Sequence, residues 1–535
     1  MSQSLKPPGS THDLRAAALL TLALALARLV ALFHSPLELY PDEAQYWLWS
    51  RTLDFGYYSK PPVIAWSIWA TTALGGDAEP WVRLSAVLFQ AGATFVVFLI
   101  GRRLYGPAVG LAASALYGLM PGVQLSALVA ATDAPLLFFL GLTILAYVML
   151  LERPRRPVLL AAGLGAALGM AFLSKYAAVY FLIGLAIHLA ASRRARAGWS
   201  PPAAGAALVA FAAVVAPNVA WNAAHGFATL QHTAANAAWD GVQLFNVEAM
   251  ATFVGSQLGV FGPIPLGALL VGVTLAAMRR RLAEADLTLL CFTLPPLVIV
   301  TAQAFISRAN ANWSGAGYLA GAVLVAAWLM RWRARRWLIA AFAIQGAVAA
   351  FFLASVISPA IADKVGLSNG LKRARGWSEA TKVILDRAER EPGLTAIAVN
   401  NRFLFYAVSY YGRDRLGPAC PRDTRSFFVS SVRSCDRTGG APPLASWLLM
   451  EGPRNQAETA APLTAAIGQR VLMVSYEGWR RAEMQADFAR SRDLEIGSVW
   501  LDARHRRRVE MFVGQGFSPR PRDPVSGLPA RPTPP

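Results

Sequence analysis

The stretch Trp81–Arg103 reads WVRLSAVLFQAGATFVVFLIGRR. Residues 81–101 are predominantly apolar, and a helix needs about 20 such residues to cross the hydrocarbon of a bilayer. An arginine pair, Arg102-Arg103, closes the run. The same unit, an apolar run ended by a short basic cluster, recurs along the chain. Candidate spans fall at approximately 15–34, 81–101, 107–128, 133–151, 157–174, 176–192, 200–220, 248–278, 286–306, 314–330 and 337–358, about eleven in all. Composition agrees: the 535 residues are 55% hydrophobic and only 15% charged, against roughly 25% charged in soluble domains. These figures exclude an ordinary soluble protein and a disordered one. The expected fold class is an α-helical polytopic membrane protein.

The formal net charge of +19 does not indicate nucleic acid, because the basic residues of the apolar part sit mostly in short loops and no basic helix interleaved with stacking aromatics is present. Five clusters, Arg102-Arg103, Arg153/Arg155/Arg156, Arg193/Arg194/Arg196, Arg279–Arg281 and Arg331/Arg333/Arg335/Arg336, each follow an even-numbered span. All five therefore share one side with the N-terminus, and the positive-inside rule makes that side cytoplasmic. The first span follows a short polar leader without a small-residue cleavage site, so it reads as an uncleaved anchor. An odd span count then places the tail outside, in the periplasm of a bacterial inner membrane. The expected divisions are a membrane domain over 1–358, an α+β extracytoplasmic domain over 359–516, and a disordered Pro-rich tail over 517–535. The tail domain mixes a helical pattern at Ser378–Glu391 with strand-like runs at Leu394–Val399, Val471–Ser475 and Ile496–Leu501. Cys291 lies in an apolar run; Cys420 and Cys435 share the external segment and can pair there.

Two external loops, from Ser35 to about Pro80 and from Pro217 to about Glu248, carry most of the candidate chemistry. In the first, Pro41-Asp-Glu-Ala-Gln-Tyr-Trp-Leu-Trp49 predicts a helix beginning near Asp42, its aromatic face (Tyr46, Trp47, Trp49) suited to a membrane surface. Asp42 fits an N-cap, with Glu43 favoured in the first turn; the functional reading is a general base taking a proton from an acceptor hydroxyl. Further along, Phe55-Gly-Tyr-Tyr-Ser-Lys-Pro-Pro62 places Lys60 beside Tyr57 and Tyr58. Lys60 suits a phosphate as a point charge, although the residues alone favour an interfacial lysine snorkelling to lipid headgroups. Asp133 and Lys175 stand at the external ends of spans, where ionisable groups are expensive and usually face a cavity or a partner. In the second loop His225 and His232 are seven apart, a spacing compatible with one helix face, but a zinc site wants a third ligand. Arg308 and Asn312 lie in the loop Ser307-Arg-Ala-Asn-Ala-Asn-Trp313, Arg308 offering a planar donor fork to phosphate. No P-loop, dinucleotide fingerprint, Ser-His-Asp order or metalloprotease helix is present.

Taken in order, Pro41–Trp49, Gly56-Tyr-Tyr-Ser-Lys-Pro-Pro62, Thr132-Asp-Ala-Pro135, Leu173-Ser-Lys175, the His225–His232 loop and Asn312-Trp313 resemble the family 39 glycosyltransferases and the related aminoarabinose transferases of lipid A, in the polytopic GT-C class. The resemblance covers roughly residues 15–358, while Asn401-Arg-Phe and Ser409-Tyr-Tyr-Gly412 look like the external region of bacterial relatives. It implies transfer of a sugar from a polyprenyl-phosphate carrier to an acceptor hydroxyl, with inversion at the anomeric carbon, on the outer face of the membrane. The acceptor it implies is a lipid (lipid A or another glycolipid), a polysaccharide or a protein. It also implies Asp42 as general base with Glu43 nearby and Lys60 and Lys175 on the donor phosphate, with Arg308 available beside them. Tyr57, Tyr58, Asp133, His225, His232 and Asn312 complete the candidate substrate-binding set. Ser59 stands where aminoarabinose transferases tend to carry an acid linked to a metal position, so no cofactor and no metal are expected. The expected partners are the lipid-linked donor, the acceptor and membrane lipids. The rival reading is a polytopic transporter or lipid flippase, which would favour paired inverted halves; none is discernible. A non-catalytic scaffold would leave the Asp42 and Lys60 motifs unexplained.

Overall fold

The structure, a computed structural model, describes residues 11–237, 245–278, 282–416, 441–447, 456–478 and 480–521. The cluster Arg279–Arg281, Cys420 and Cys435, and the last fourteen residues of the expected tail lie outside them. The chain forms two compact units: Met1–Ser35 with Lys60–Ile357, and Pro36–Ser59 with Ser358–Pro535.

Among the described residues the first unit contains helices joined by loops and no strand. Among those same described residues, eight of its helices are long and apolar enough to cross a membrane, or up to ten if each of two bent helix pairs is one span. The expected eleventh stretch is the helix Tyr176–Ala191, shorter than the others, and a further short apolar helix, Val63–Gly75, lies inside what the sequence suggested was loop. The two bends have identifiable causes. Pro121 follows the end of Pro107–Leu119, where the chain turns by 59°, because proline supplies no N–H to continue the ladder. The carbonyl of Gly118, freed there, accepts from Arg28 Nη2 at 2.5 Å and Gln124 Nε2 at 2.6 Å. At the 115° bend between Val247–Val260 and Pro263–Ala277, Gly262 takes φ +97° and Gln345 Nε2 donates to the Phe261 carbonyl at 2.8 Å. Both breaks are thus satisfied inside the protein, as backbone in an apolar medium must be.

The helix Gly315–Arg331 is the core of this unit, with Ala316–Leu329 buried. Small residues allow close crossings: a Cβ on Gly165 would lie 2.0 Å from the carbonyl oxygen of Ala207 on the neighbouring helix Pro201–Ala224. One buried acid is fully compensated. Asp286 accepts from Tyr105 at 2.7 Å, from Arg331 at 2.6 and 2.9 Å, and from Trp328 at 3.1 Å.

The second unit is α+β. Six strands, β1 (Ala396–Val399), β2 (Leu444–Ser446), β3 (Arg470–Tyr476), β4 (Phe488–Asp493), β5 (Gly497–Trp500) and β6 (Arg506–Phe517), form one sheet. β1 pairs in parallel with β2 and β3; β6 runs antiparallel to β3 on one side and to β4 and β5 on the other. Phe517, where the disordered tail was expected to begin, pairs with Phe488 as the last residue of β6. The helix Trp377–Arg390 buries Trp377, Ala380, Thr381, Ile384, Leu385 and Ala388, one apolar stripe at helical spacing. Residues 36–59 belong to this unit. Glu38 fastens them by accepting from the backbone N–H of Trp377 and from the N–H and hydroxyl of Ser378, so it caps that helix from a distant part of the chain.

Candidate active site

In the α+β unit the helix Pro41–Ser50 begins with proline at its first position, where the missing N–H costs nothing. Its cap is made by Glu43, not Asp42: Glu43 is buried, and its Oε2 accepts from the Tyr40 N–H at 2.8 Å. That is the reciprocal arm of a capping box. Asp42 is left with 54% of its side chain exposed, and its Oδ1 accepts from Arg402 Nη1 at 3.0 Å. The same nitrogen donates to Gln45 Oε1 at 3.0 Å. Arg402 opens the helix Arg402–Tyr411, which Asn401 caps by accepting from the Phe403 N–H at 2.8 Å.

The aromatics of this helix are spent on packing within the unit rather than displayed to a membrane. Trp47 meets Tyr410 edge-on at 4.9 Å, and Trp49 stacks on Tyr57 at 4.8 Å. Tyr57 is buried, and its hydroxyl lies 3.1 Å and 3.0 Å from the carbonyls of Trp49 and Thr52 while accepting from the Asp54 N–H at 3.1 Å. It pins the turn that follows the helix, and burial pushes its pKa up. Tyr58 is half-buried; burial and then the negative charge of Glu458 raise it. Glu458, itself buried, and Arg402 are the two charged groups here that the sequence did not single out as site residues.

In the helical unit three candidates from distant segments meet. Lys175 ends Pro157–Ser174 with an extended backbone (φ −163°, ψ 134°), which turns its side chain away from the helix path. Its Nζ lies 2.9 Å from Asp133 Oδ1. Asn312, on the short turn Ala311–Ser314, donates to Asp133 Oδ2 at 3.2 Å. Both oxygens of Asp133 are therefore occupied, and the pair is largely enclosed, with 21% and 18% of the Lys175 and Asp133 side chains exposed. The turn is held from behind by Gln257, which donates to the Ala311 carbonyl at 3.2 Å and accepts from Ser314 at 3.0 Å and Tyr318 at 2.9 Å.

Lys60 sits half-exposed three residues before Val63, the start of the short helix Val63–Gly75, and Arg308 is exposed in the loop before Ala311. The two histidines do not share a helix face: the first helix ends at Ala224 and the next starts at Ala228, with Gly226 and Phe227 at φ +60° and +56° between them. His225 stacks on Trp221 at 4.1 Å and donates its Nδ1–H to the Trp221 carbonyl at 2.7 Å. His232 is half-buried on Ala228–Ala237. Among the described residues, no group of three or more His, Cys, Asp or Glu is placed to hold a metal ion.

The model of a family described as dolichyl-phosphate-mannose-protein mannosyltransferase matches residues 59–221. The chain is 36% identical over 405 residues to the lipid A galacturonosyltransferase RgtD of Rhizobium johnstonii, covering 75% of this chain and 83% of that one. Two crystal structures of ArnT from Cupriavidus metallidurans share the fold. The apo form has a TM-score of 0.59 at 15% identity and the undecaprenyl phosphate complex 0.57 at 17%, each covering 92% of this chain and 97% of the other.

Proposed function

The chain belongs to the family 39-like glycosyltransferases of the GT-C class, and from that premise we propose that it moves a galacturonosyl residue from a polyprenyl-phosphate carrier to a hydroxyl of lipid A. The observation that carries the choice of sugar and acceptor is the 36% identity to RgtD, maintained over 405 residues. In the proposed reaction Asp42 takes the proton of the acceptor hydroxyl, whose oxygen bonds to the anomeric carbon as the bond from that carbon to the phosphate oxygen breaks. The electron pair leaves on the carrier phosphate. Supporting this division of roles, Asp42 Oδ1 is held by Arg402 while Oδ2 has no partner among the described residues, an arrangement in which a base is oriented with one oxygen to spare. Lys175, set by Asp133 and Asn312, is proposed with Lys60 and Arg308 to stabilise the charge that develops on the leaving phosphate. Tyr58, His225 and His232 remain candidate contacts to substrate, and Glu43 supports Asp42 by fixing the start of its helix.

Orientation follows from the basic clusters. With each bent pair and the helix Tyr176–Ala191 counted as crossings, the clusters fall on one side, which we assign to the cytoplasm. The α+β unit is then periplasmic, where lipid-linked sugars rather than cytosolic nucleotide sugars are the accessible donors. The test is incubation of the purified protein with polyprenyl-phosphate galacturonic acid and lipid A, read by mass spectrometry. Gain of one hexuronic acid residue on lipid A is expected. Transfer from a mannosyl or aminoarabinosyl donor, with none from the galacturonosyl donor, would overturn the sugar assignment.

A further inference from the structure

Two arginines of the α+β unit converge on one aromatic ring. The guanidinium carbon of Arg402 lies 4.6 Å from the ring centre of Phe403, and that of Arg373 lies 5.8 Å from it. Attraction to the ring favours each cation, and Asp42 is the carboxylate paired with Arg402, so the second cation leaves positive charge for a further anion. The donors are available. Arg402 spends only Nη1, on Asp42 and Gln45; among the described residues its Nε and Nη2 have no partner. Arg373 is exposed, and among the described residues no carboxylate pairs with it.

The location is equally informative. Arg402 touches Asp42, so a ligand group on its free edge lies one guanidinium away from the proposed base. The fully buried Tyr406, one helical turn beyond, feels the charges of Arg402, Glu458 and Asp42. Asp42 already offsets the charge of Arg402, so Arg402 alone is a weak anchor for an anion. Arg373 supplies the second positive charge.

We propose that Arg373 and Arg402, gathered around Phe403, form a binding site for an oxyanion carried by the substrate reacting at Asp42. The planar forks of the two side chains match a carboxylate or a phosphate. The galacturonosyl donor offers the first and a phosphorylated lipid A acceptor the second. The source of the oxyanion rests on the function proposed above; the site itself rests on the geometry.

The test uses the full-length protein in detergent and two probes, sodium galacturonate and inorganic phosphate, titrated by ligand-observed NMR. Saturable binding of at least one probe is expected, weakened about tenfold in Arg373→Gln, the size of one lost charge-assisted contact. Unchanged affinity in the variant overturns the site. Transfer kinetics then identify the source. A penalty of Arg373→Gln that disappears with a galactosyl donor assigns the site to the donor carboxylate. One that disappears with dephosphorylated lipid A assigns it to the acceptor phosphate. The same penalty with every substrate pair overturns the substrate assignment. A wild-type protein that transfers neither sugar counts against the proposed function, and the probe titration still decides the site.

Discussion

Asp133 in the helical unit and Asp42 in the α+β unit each have one cationic partner at nearly the same distance, Lys175 at 2.9 Å and Arg402 at 3.0 Å. Their surroundings differ. Asp133 is 18% exposed and has both oxygens occupied; Asp42 is 54% exposed with one oxygen bonded. An enclosed acid with a donor on each oxygen positions its partners, whereas an accessible acid with a spare oxygen is placed to meet an acceptor hydroxyl. The same residue type thus serves two ends. In the proposed chemistry Asp133 fixes the cation Lys175, and Asp42 is the base.

The largest effect expected from this contrast is on turnover. Asp42→Asn keeps an oxygen for Arg402 but removes the base, and transfer should fall about 10³-fold while donor affinity stays near wild type. Single-turnover rates and a donor-binding titration check this together; a variant defective only in donor binding would abolish the distinction between the units. Next in size is a stability effect in the helical unit. Asp286→Ala leaves Arg331, Trp328 and Tyr105 without their shared acceptor, at a cost of about 3 kcal/mol, measured as a lowered unfolding midpoint in detergent. Unaltered stability would show that this cluster does not hold the helices.

Lys175→Ala should weaken donor binding about tenfold with a smaller loss in single-turnover rate, the reverse of the Asp42 pattern. Glu43→Ala removes a cap and should cost about 1 kcal/mol of stability. The smallest effect depends on pH. Glu391 is buried, which alone would raise its pKa, but the hydrogen bonds and charges of Arg492 and Arg387 outweigh burial and hold it below the ordinary 4.5. A depressed carboxylate pKa contributes stability that is present above the unfolded value and lost as pH falls through the folded one. Glu391→Gln should therefore unfold more easily than wild type at pH 7, and the difference should close only below about pH 4.5. A gap that persists in acid would assign the loss to packing instead.

Much of the helical unit was legible because a membrane makes the pattern simple: long apolar runs, basic ends, and ionisable residues conspicuous by scarcity. Asp133 and Lys175 stood out for that reason and Asn312 through the family resemblance, and the structure joins them. Val63–Gly75 escaped notice because its apolar run is too short to read as a span. In the α+β unit the signals are weaker. β4 has five exposed residues after Phe488, so no alternating apolar face marks it, and β6 begins with three consecutive arginines. The motif around Asp42 was visible, with cap and base equally good readings of it; the structure gives the capping arm to Glu43. Arg402 sits 360 positions away from Asp42, and although the Asn401-Arg-Phe motif was visible, nothing local to it pointed to a partner in the first external loop.

The account stands on a single displacement driven by one carboxylate base. The anomeric configuration of the product tests that most directly, read from the coupling of the anomeric proton in NMR spectra of lipid A modified by the wild-type protein. Inversion relative to the polyprenyl-phosphate donor is the predicted result. Retention would require a nucleophile and a covalent sugar–protein intermediate, and would contradict the role given to Asp42.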